Sequence, residues 1–325
     1  MLKALARKAL ATLGLEARRL PRPPAPASAS GQSGSLRFGV YTIVTDNAEL
    51  VRSYHNYPET NAVIGRLVSL LARHQPIAMI DIGANCGDSL AIAKQASPAV
   101  EVLCIEGDGH LCSTLRSNAT QFSDVTIKNC YLGEKATQIV VSVYKRGQNN
   151  TLVHNKPNNG HTEIVAIEAL DDVVLSWRGL PRLRFIKCDT EGYDVRVLLG
   201  GLSTLRSHQP VLLFEYNREA MRASGETGLR IFSALVEAQY LHGGFYDAFG
   251  RFILEGDLTD QRLIEDLHAY ADGQHGKVLY YDIVTFARKD RALAAEFFTE
   301  ERRRLDERGY ISALNSFDMK NRQKS

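Results

Sequence analysis

The sequence predicts an α/β fold: a mostly parallel sheet with helices on both of its faces. Three observations predict it. Short apolar runs alternate with segments of helical spacing along most of the chain, the pattern of crossover units. One run, Ala78–Ile82, passes directly into a glycine turn ahead of a helix, and ligands of open α/β sheets bind at that edge. The composition over 325 residues, 44% hydrophobic and 23% charged, supplies a sizeable core.

The elements follow in order. Residues 1–35 are expected to form a basic tail and linker. Leu2, Leu5, Ala9 and Leu13 align along one side of a short helix, and Pro, Ala, Ser and Gly dominate residues 21–35. Arg7 and Lys8 interrupt the apolar centre that a secretory signal needs. Weak membrane-surface contact through residues 1–20 and a loosely ordered tail are both open readings. Residues 36–76 read as an N-terminal lid and a first helix, Thr60–Arg73. The main domain is expected over 77–290, with strands at Ala78–Ile82, Val100–Ile105, Val125–Leu132, Leu183–Cys188 and Val211–Tyr216. Helices are expected at Ser89–Gln95, His110–Gln121, Tyr193–Leu199 and Leu229–Gln239. Two alternating runs, Gln138–Tyr144 and Glu163–Ala169, flank a polar loop at 146–161, and Phe252–Leu254 and Val278–Ala287 read as extended. Residues 291–325 are expected as a C-terminal tail around a solvated charged helix, Glu296–Arg308.

Charge narrows the function. The chain carries 39 basic and 37 acidic side chains. The first 35 residues hold a net +5 and residues 288–325 a net +3, which leaves the body at −6. An acidic body is a poor match for a phosphate backbone, so no nucleic-acid partner is expected. No stretch approaches ~18 uninterrupted apolar residues, so no transmembrane segment is expected. The five cysteines form no Cys-x-x-Cys pair and lie in or beside strand-like runs. That usage suits a reducing compartment, and the cytoplasm is the expected location.

The informative segment is MIDIGANCGDSL, Met79–Leu90. Asp81 precedes Gly83, and Gly87 stands just before a helix. Gly83, without a Cβ, admits a ligand close to the backbone, and the helix N-terminus offers free N–H groups. Dinucleotide sites need Gly-x-Gly-x-x-Gly and phosphate sites the Walker lysine; the spacing here is Gly83-x-x-x-Gly87, with neither. Glu106 follows the next strand, 23 residues after Gly83, where a carboxylate can accept from both hydroxyls of a ribose. A ligand with a ribose and an amino-acid moiety but no phosphates satisfies all of this, and S-adenosyl-L-methionine is the expected cofactor. The competing reading makes these residues an ordinary turn and strand-end acids.

Further segments sharpen the reading: FIKCDTEG at 185–192, VLLGG at 197–201 and PVLLFEYN at 210–217. With the glycine loop, they resemble the FkbM family of methyltransferases. The family pattern is matched in order by Asp81, Gly83, Ala84, Asn85, Gly87, Glu106, Lys187, Asp189, Glu191, Gly192 and Glu215. NNTL at 149–152, AIEALDD at 166–172 and YYDIVTF at 280–286 add looser echoes. The resemblance implies a class I methyltransferase fold with a seven-stranded, mostly parallel Rossmann-like sheet. It also implies O-methylation of a small molecule or a sugar hydroxyl, with a small-molecule or glycan acceptor as partner. The residues expected to bind the cofactor are Asp81, Gly83, Ala84, Asn85, Gly87, Glu106, Asp108 and Leu132. Asp108 enters because this chain has Glu106-Gly107-Asp108 where the family usually has Glu-Pro.

Asp189, Glu191 and Lys187 are the expected catalytic residues. A hydroxyl nucleophile benefits from a general base, and strand alternation places Lys187 and Asp189 on one face. A buried Lys–Asp pair and a helix-capping Glu191 are the structural alternatives. Asp189, Glu191 and Glu215 could instead hold a divalent cation, although no metal is expected. His154 and His161 are minor candidates for the base, and Tyr41, Tyr54, His55 and Tyr57 could cap a ligand or simply pack. Bases and protein amines are usually methylated beside an Asn/Asp-Pro-Pro-aromatic element, which Asp189-Thr190-Glu191-Gly192 replaces here. Two other functions compete: a nicotinamide-dependent oxidoreductase and a non-catalytic scaffold.

Overall fold

The computed structural model describes residues 34–146, 149–153, 162–273 and 280–307. The expected basic helix at 1–20, the linker through 33, His154, His161 and the chain beyond 307 lie outside the described residues.

A hairpin of β1 (Gly34–Phe38) and β2 (Tyr41–Thr45) and two helices, α1 (Ala48–Asn56) and α2 (Ala62–Leu71), precede the main sheet. Strand β3 (Ala78–Ile82), α3 (Asp88–Ala96), β4 (Glu101–Ile105), α4 (Gly109–Ala119) and β5 (Val125–Lys128) make two successive crossovers. An insertion follows: β6 (Tyr131–Gly133), β7 (Thr137–Arg146), β8 (Asn149–Val153) and β9 (Thr162–Ala169) form their own sheet in the order 6-9-7-8. Helix α5 (Leu170–Val174) leads back to β10 (Leu183–Cys188), and α6 (Asp194–Leu199) and α7 (Leu202–His208) lead on to β11 (Val211–Tyr216). Next come α8 (Arg218–Ala223), α9 (Arg230–Glu237), the hairpin β12 (Tyr240–Asp247) and β13 (Phe252–Asp257), α10 (Gln261–Asp272), β14 (Tyr281–Ala287) and α11 (Arg291–Glu307).

The main sheet has the strand order 13-12-14-11-10-3-4-5. Strands β11, β10, β3, β4 and β5 run parallel, and β14, β12 and β13 pair antiparallel. This is the expected architecture with one correction: the sheet has eight strands, because Phe252–Asp257 hairpins back onto the edge strand β12. Both faces of the sheet are covered. Ile80, Ile186 and Phe214 pack with α5 to α10, while Met79, Phe185 and Leu213 pack with α2, α3, α4 and α11. Sheets buried on both faces read as continuous apolar runs, which is why the central strands were legible.

Three further expectations change. Val125–Leu132 is two strands in two sheets, broken at Asn129, whose Nδ2 donates to the carbonyls of Glu106 and Gly107. The polar segment 146–161 contains β8, antiparallel to β7. Helix α11 is not merely solvated, since Phe297 and Phe298 are buried against Phe286.

Lys94 in α3 is the one-step key to the α3–β4–β5 corner. The residue is 1% exposed, and its ammonium donates at 2.6 Å to the carbonyls of both Val100 and Ser123. Burial pulls its pKa down, opposed by nearby Asp124. Lys94→Met leaves those carbonyls without a donor, so urea unfolding should show a loss of about 1–3 kcal/mol.

Candidate active site

The parallel strands diverge from one point. From β3 the chain winds outward through β4 and β5, and from β10 it winds the other way to β11. Ligands of open α/β sheets bind at such a switch point, outside the carboxyl ends of the strands. Gly83 follows β3, and Asp189 follows β10, its immediate neighbour.

The two loops touch. A Cβ on Gly83 would lie 1.8 Å from the Asp189 carbonyl oxygen, and the residue has φ +71°, so only glycine fits. The N–H groups of Gly83 and Ala84 both donate to the Ile105 carbonyl. Glu106 ties the loop to the next strand: Oε2 accepts from Asn85 N–H at 2.8 Å and Oε1 from Asp108 N–H at 2.9 Å. Each oxygen keeps a further lone pair. Burial pushes the Glu106 carboxyl above its usual range, against the pull of those N–H groups. A Cβ on Gly107, which stands where the resemblance expects proline, would lie 2.2 Å from the Tyr131 ring.

Lys187 joins the loops from below. Its Nζ donates to the Gly83 carbonyl at 2.9 Å and lies 3.4 Å from Asp81 Oδ1 and 3.5 Å from Asp189 Oδ2. Burial alone would depress its pKa, but Asp81 and Asp189 outweigh burial and raise it. Ser89 Oγ donates to the other Asp81 oxygen at 2.5 Å. Asp81 is therefore fully enclosed beneath the loop.

Beyond Asp189 the chain turns through Glu191 (φ +51°) and Gly192 (φ +91°). The following helix starts at Asp194, and its N-cap residue is Tyr193 and not Glu191. The buried carboxylate of Asp194 holds the turn instead, accepting from Thr190 and Gly192 N–H at 3.2 Å each. Burial, with the Asp189 charge nearby, pushes Asp194 up to about 7. The sequence reading missed Asp194; its signal was an acid at the first helical position after an Asp-x-Glu-Gly turn.

These loops enclose a cavity of about 280 Å³. Gly83, Asn85, Glu106, Asp108 and Leu132 line it on the β3–β4 side, and Lys187, Asp189 and Glu191 on the β10 side. Asp81, Ala84 and Gly87 do not reach it. Asp81 is the buried partner of Lys187, Ala84 is enclosed behind the turn, and Gly87 starts α3 with φ +94°. Asp108 lines the wall, but its Oδ1 caps α4 by accepting from His110 and Leu111 N–H. The N-terminal segment contributes Leu50, Ser53 and Asn61. Its aromatic candidates pack instead: Tyr41 on Phe122, Tyr57 on Phe249, and Tyr54 hydrogen-bonded to Asp88 at 2.5 Å. Asn85 Oδ1, Tyr193 OH and Glu215 Oε2 are buried in the wall without a hydrogen-bond partner among the described residues. Such a lining fits a polar ligand.

Among the described residues, no three or more His, Cys, Asp or Glu are disposed to hold a metal ion, and no helix is long and apolar enough to cross a membrane. All five cysteines are free.

A glycine turn at the switch point, an acid after the second strand and an acidic turn after the fourth central strand together define a class I methyltransferase. The sequence matches the FkbM methyltransferase domain over residues 81–251, and the chain belongs to the FkbM methyltransferase family. Similar solved structures include the methyltransferase FkbM from Methylobacillus flagellatus KT, at 16% identity and a TM-score of 0.36. That match covers 65% of this chain and 44% of the other, so this chain spans less than half of that relative. The plantazolicin methyltransferase BamL, in complex with a triazolic desmethylPZN analogue and S-adenosylhomocysteine, is similar at 10% identity and a TM-score of 0.40 over 74% and 90% of the two chains. The human methyltransferase 10 domain containing protein is similar at 11% identity and a TM-score of 0.35 over 88% and 95%. Curated proteins gave no match.

Proposed function

We propose that the protein transfers a methyl group from S-adenosylmethionine to a hydroxyl of a sugar, glycan or small metabolite. The observation that carries this reading is the contact between the Gly83 loop and the Asp189 turn, which sets a carboxylate beside the cofactor loop. Glu106 keeps the free lone pairs that a ribose diol needs. Asn85, with its unpartnered Oδ1, faces the amino-acid moiety, and Leu132 supplies an apolar wall for the base. When bound, the cofactor supplies a sulfonium-activated methyl group. The chain's own part is alignment and proton removal.

Asp189 is the proton acceptor in this proposal. Its side chain is 42% exposed, open to the cavity and steadied by Lys187. Lys187, which was expected among the catalytic residues, is a positioning residue here, because its ammonium is taken by Gly83, Asp81 and Asp189. The cavity wall carries seven carboxyl groups against a single lysine, a hostile lining for the pyrophosphate of a nicotinamide cofactor.

Asp189→Asn tests the role. Asp81 remains beside Lys187, so folding and S-adenosylhomocysteine affinity should stay near wild type. Methyl transfer should fall by a factor on the order of 10²–10⁴. A variant with undiminished turnover would remove Asp189 from the mechanism.

A further inference from the structure

Four charged residues stand on one sheet face at its carboxyl edge. Asp81 on β3 is in register with Lys187 on β10, and Glu215 on β11 is in register with Asp282 on β14. Their strand neighbours Met79, Phe185, Leu213 and Val284 all pack into the same core layer, which places the four on that face. The first pair is a salt bridge. The second is two acids directly opposite each other, an arrangement that is destabilising by itself.

Among the described residues no cation forms a salt bridge with either member of this second pair; the Lys187 charge acts on Asp282 only against the larger effect of burial. Among the described residues that line the cavity, Lys187 is the only cation, and it is held by Asp81, Asp189 and the Gly83 carbonyl. Glu215 is only 7% exposed, and its Oε2 has no hydrogen-bond partner although the residue lines the cavity. Asp282 lines the same wall. Burial, together with the neighbouring Asp189, raises both carboxyls well above their usual range.

The pair is also on the acceptor side. At about 4.8 Å per strand, β11 and β14 lie roughly 10 and 14 Å from the strand that carries the Gly83 loop. That is across the Asp189 turn from the cofactor residues. Two facing carboxyls present acceptors and no charged donor. A proton held between them relieves part of the repulsion, but a neutral hydroxyl adds no charge, whereas an ammonium brings three donors and a positive charge that matches both acids.

We propose that the methyl acceptor carries an ammonium group beside its reacting hydroxyl, as an amino sugar or amino alcohol does, and that Glu215 and Asp282 bind that ammonium. This rests on the O-methyltransferase reading above and adds the substrate's charge. Held as an ammonium, the nitrogen has no lone pair, so the methyl group goes to the oxygen.

The test uses the full-length chain saturated with S-adenosylhomocysteine, titrated calorimetrically with glucosamine or with glucose below the amine's pKa. Glucosamine should bind at least tenfold more tightly than glucose. Glu215→Gln and Asp282→Asn should each remove that preference without changing S-adenosylhomocysteine affinity. Equal binding of the two sugars, binding of neither, or a preference that survives both substitutions overturns the proposal. So does a Glu215-dependent heat with magnesium chloride alone, which would make the pair a divalent-cation site. Failure of the wild-type chain to bind S-adenosylhomocysteine would instead count against the methyltransferase reading itself.

Discussion

Gly83→Ala should lower S-adenosylhomocysteine affinity by at least 100-fold. The added methyl would sit 1.8 Å from the Asp189 carbonyl oxygen, well inside any tolerable contact. The left-handed backbone adds about 1–2 kcal/mol for a residue with a Cβ. The obstacle is a backbone carbonyl, not a flexible side-chain tip, so relief requires the glycine loop and the Asp189 turn to separate. That displaces Asn85 and Glu106, the residues proposed to meet the cofactor. Calorimetry reads the affinity, and far-UV circular dichroism should confirm an unchanged fold. Affinity within threefold of wild type would mean that the two loops are not coupled.

The second large effect concerns stability. Lys187→Met leaves Asp81 fully buried without its counter-charge and strips the Gly83 carbonyl of its donor. Breaking a buried pair from one side costs about 3–5 kcal/mol, measurable by urea unfolding. The companion change Asp81→Leu in the Lys187→Met background should recover most of that loss, because the desolvated charge disappears with it. Cofactor affinity should not recover, since the Gly83 carbonyl remains untethered. A Lys187→Met chain of wild-type stability would show that the ion pair contributes nothing.

How much of this was legible in the sequence depended on how local each signal is. Buried parallel strands such as Ala78–Ile82 and Val211–Tyr216 announce themselves as apolar runs, and their limits agree with the structure. Gly83 and Glu106 were legible because turn chemistry is written in the residue itself. Val125–Leu132 misled because two strands of different sheets meet across a short break, and apolar periodicity does not record which sheet a strand joins. The aromatic side chains near Tyr54 read as a lid, but their partners Asp88, Phe122 and Phe249 are 34 or more positions away. Asp81 illustrates the limit best. Its place in the motif was plain, yet only the register with Lys187 shows that it lies beneath the cavity and does not line it. The Glu215–Asp282 pair was equally hidden, because 66 residues separate two acids that sit opposite each other.

The most direct test of the central claim is calorimetric titration of the wild-type chain with S-adenosylhomocysteine, with a parallel titration of NADH. The account predicts a single S-adenosylhomocysteine site, weakened at least tenfold by Glu106→Ala, and no heat with NADH. No binding of S-adenosylhomocysteine, or saturable binding of NADH at the same cavity, would contradict it.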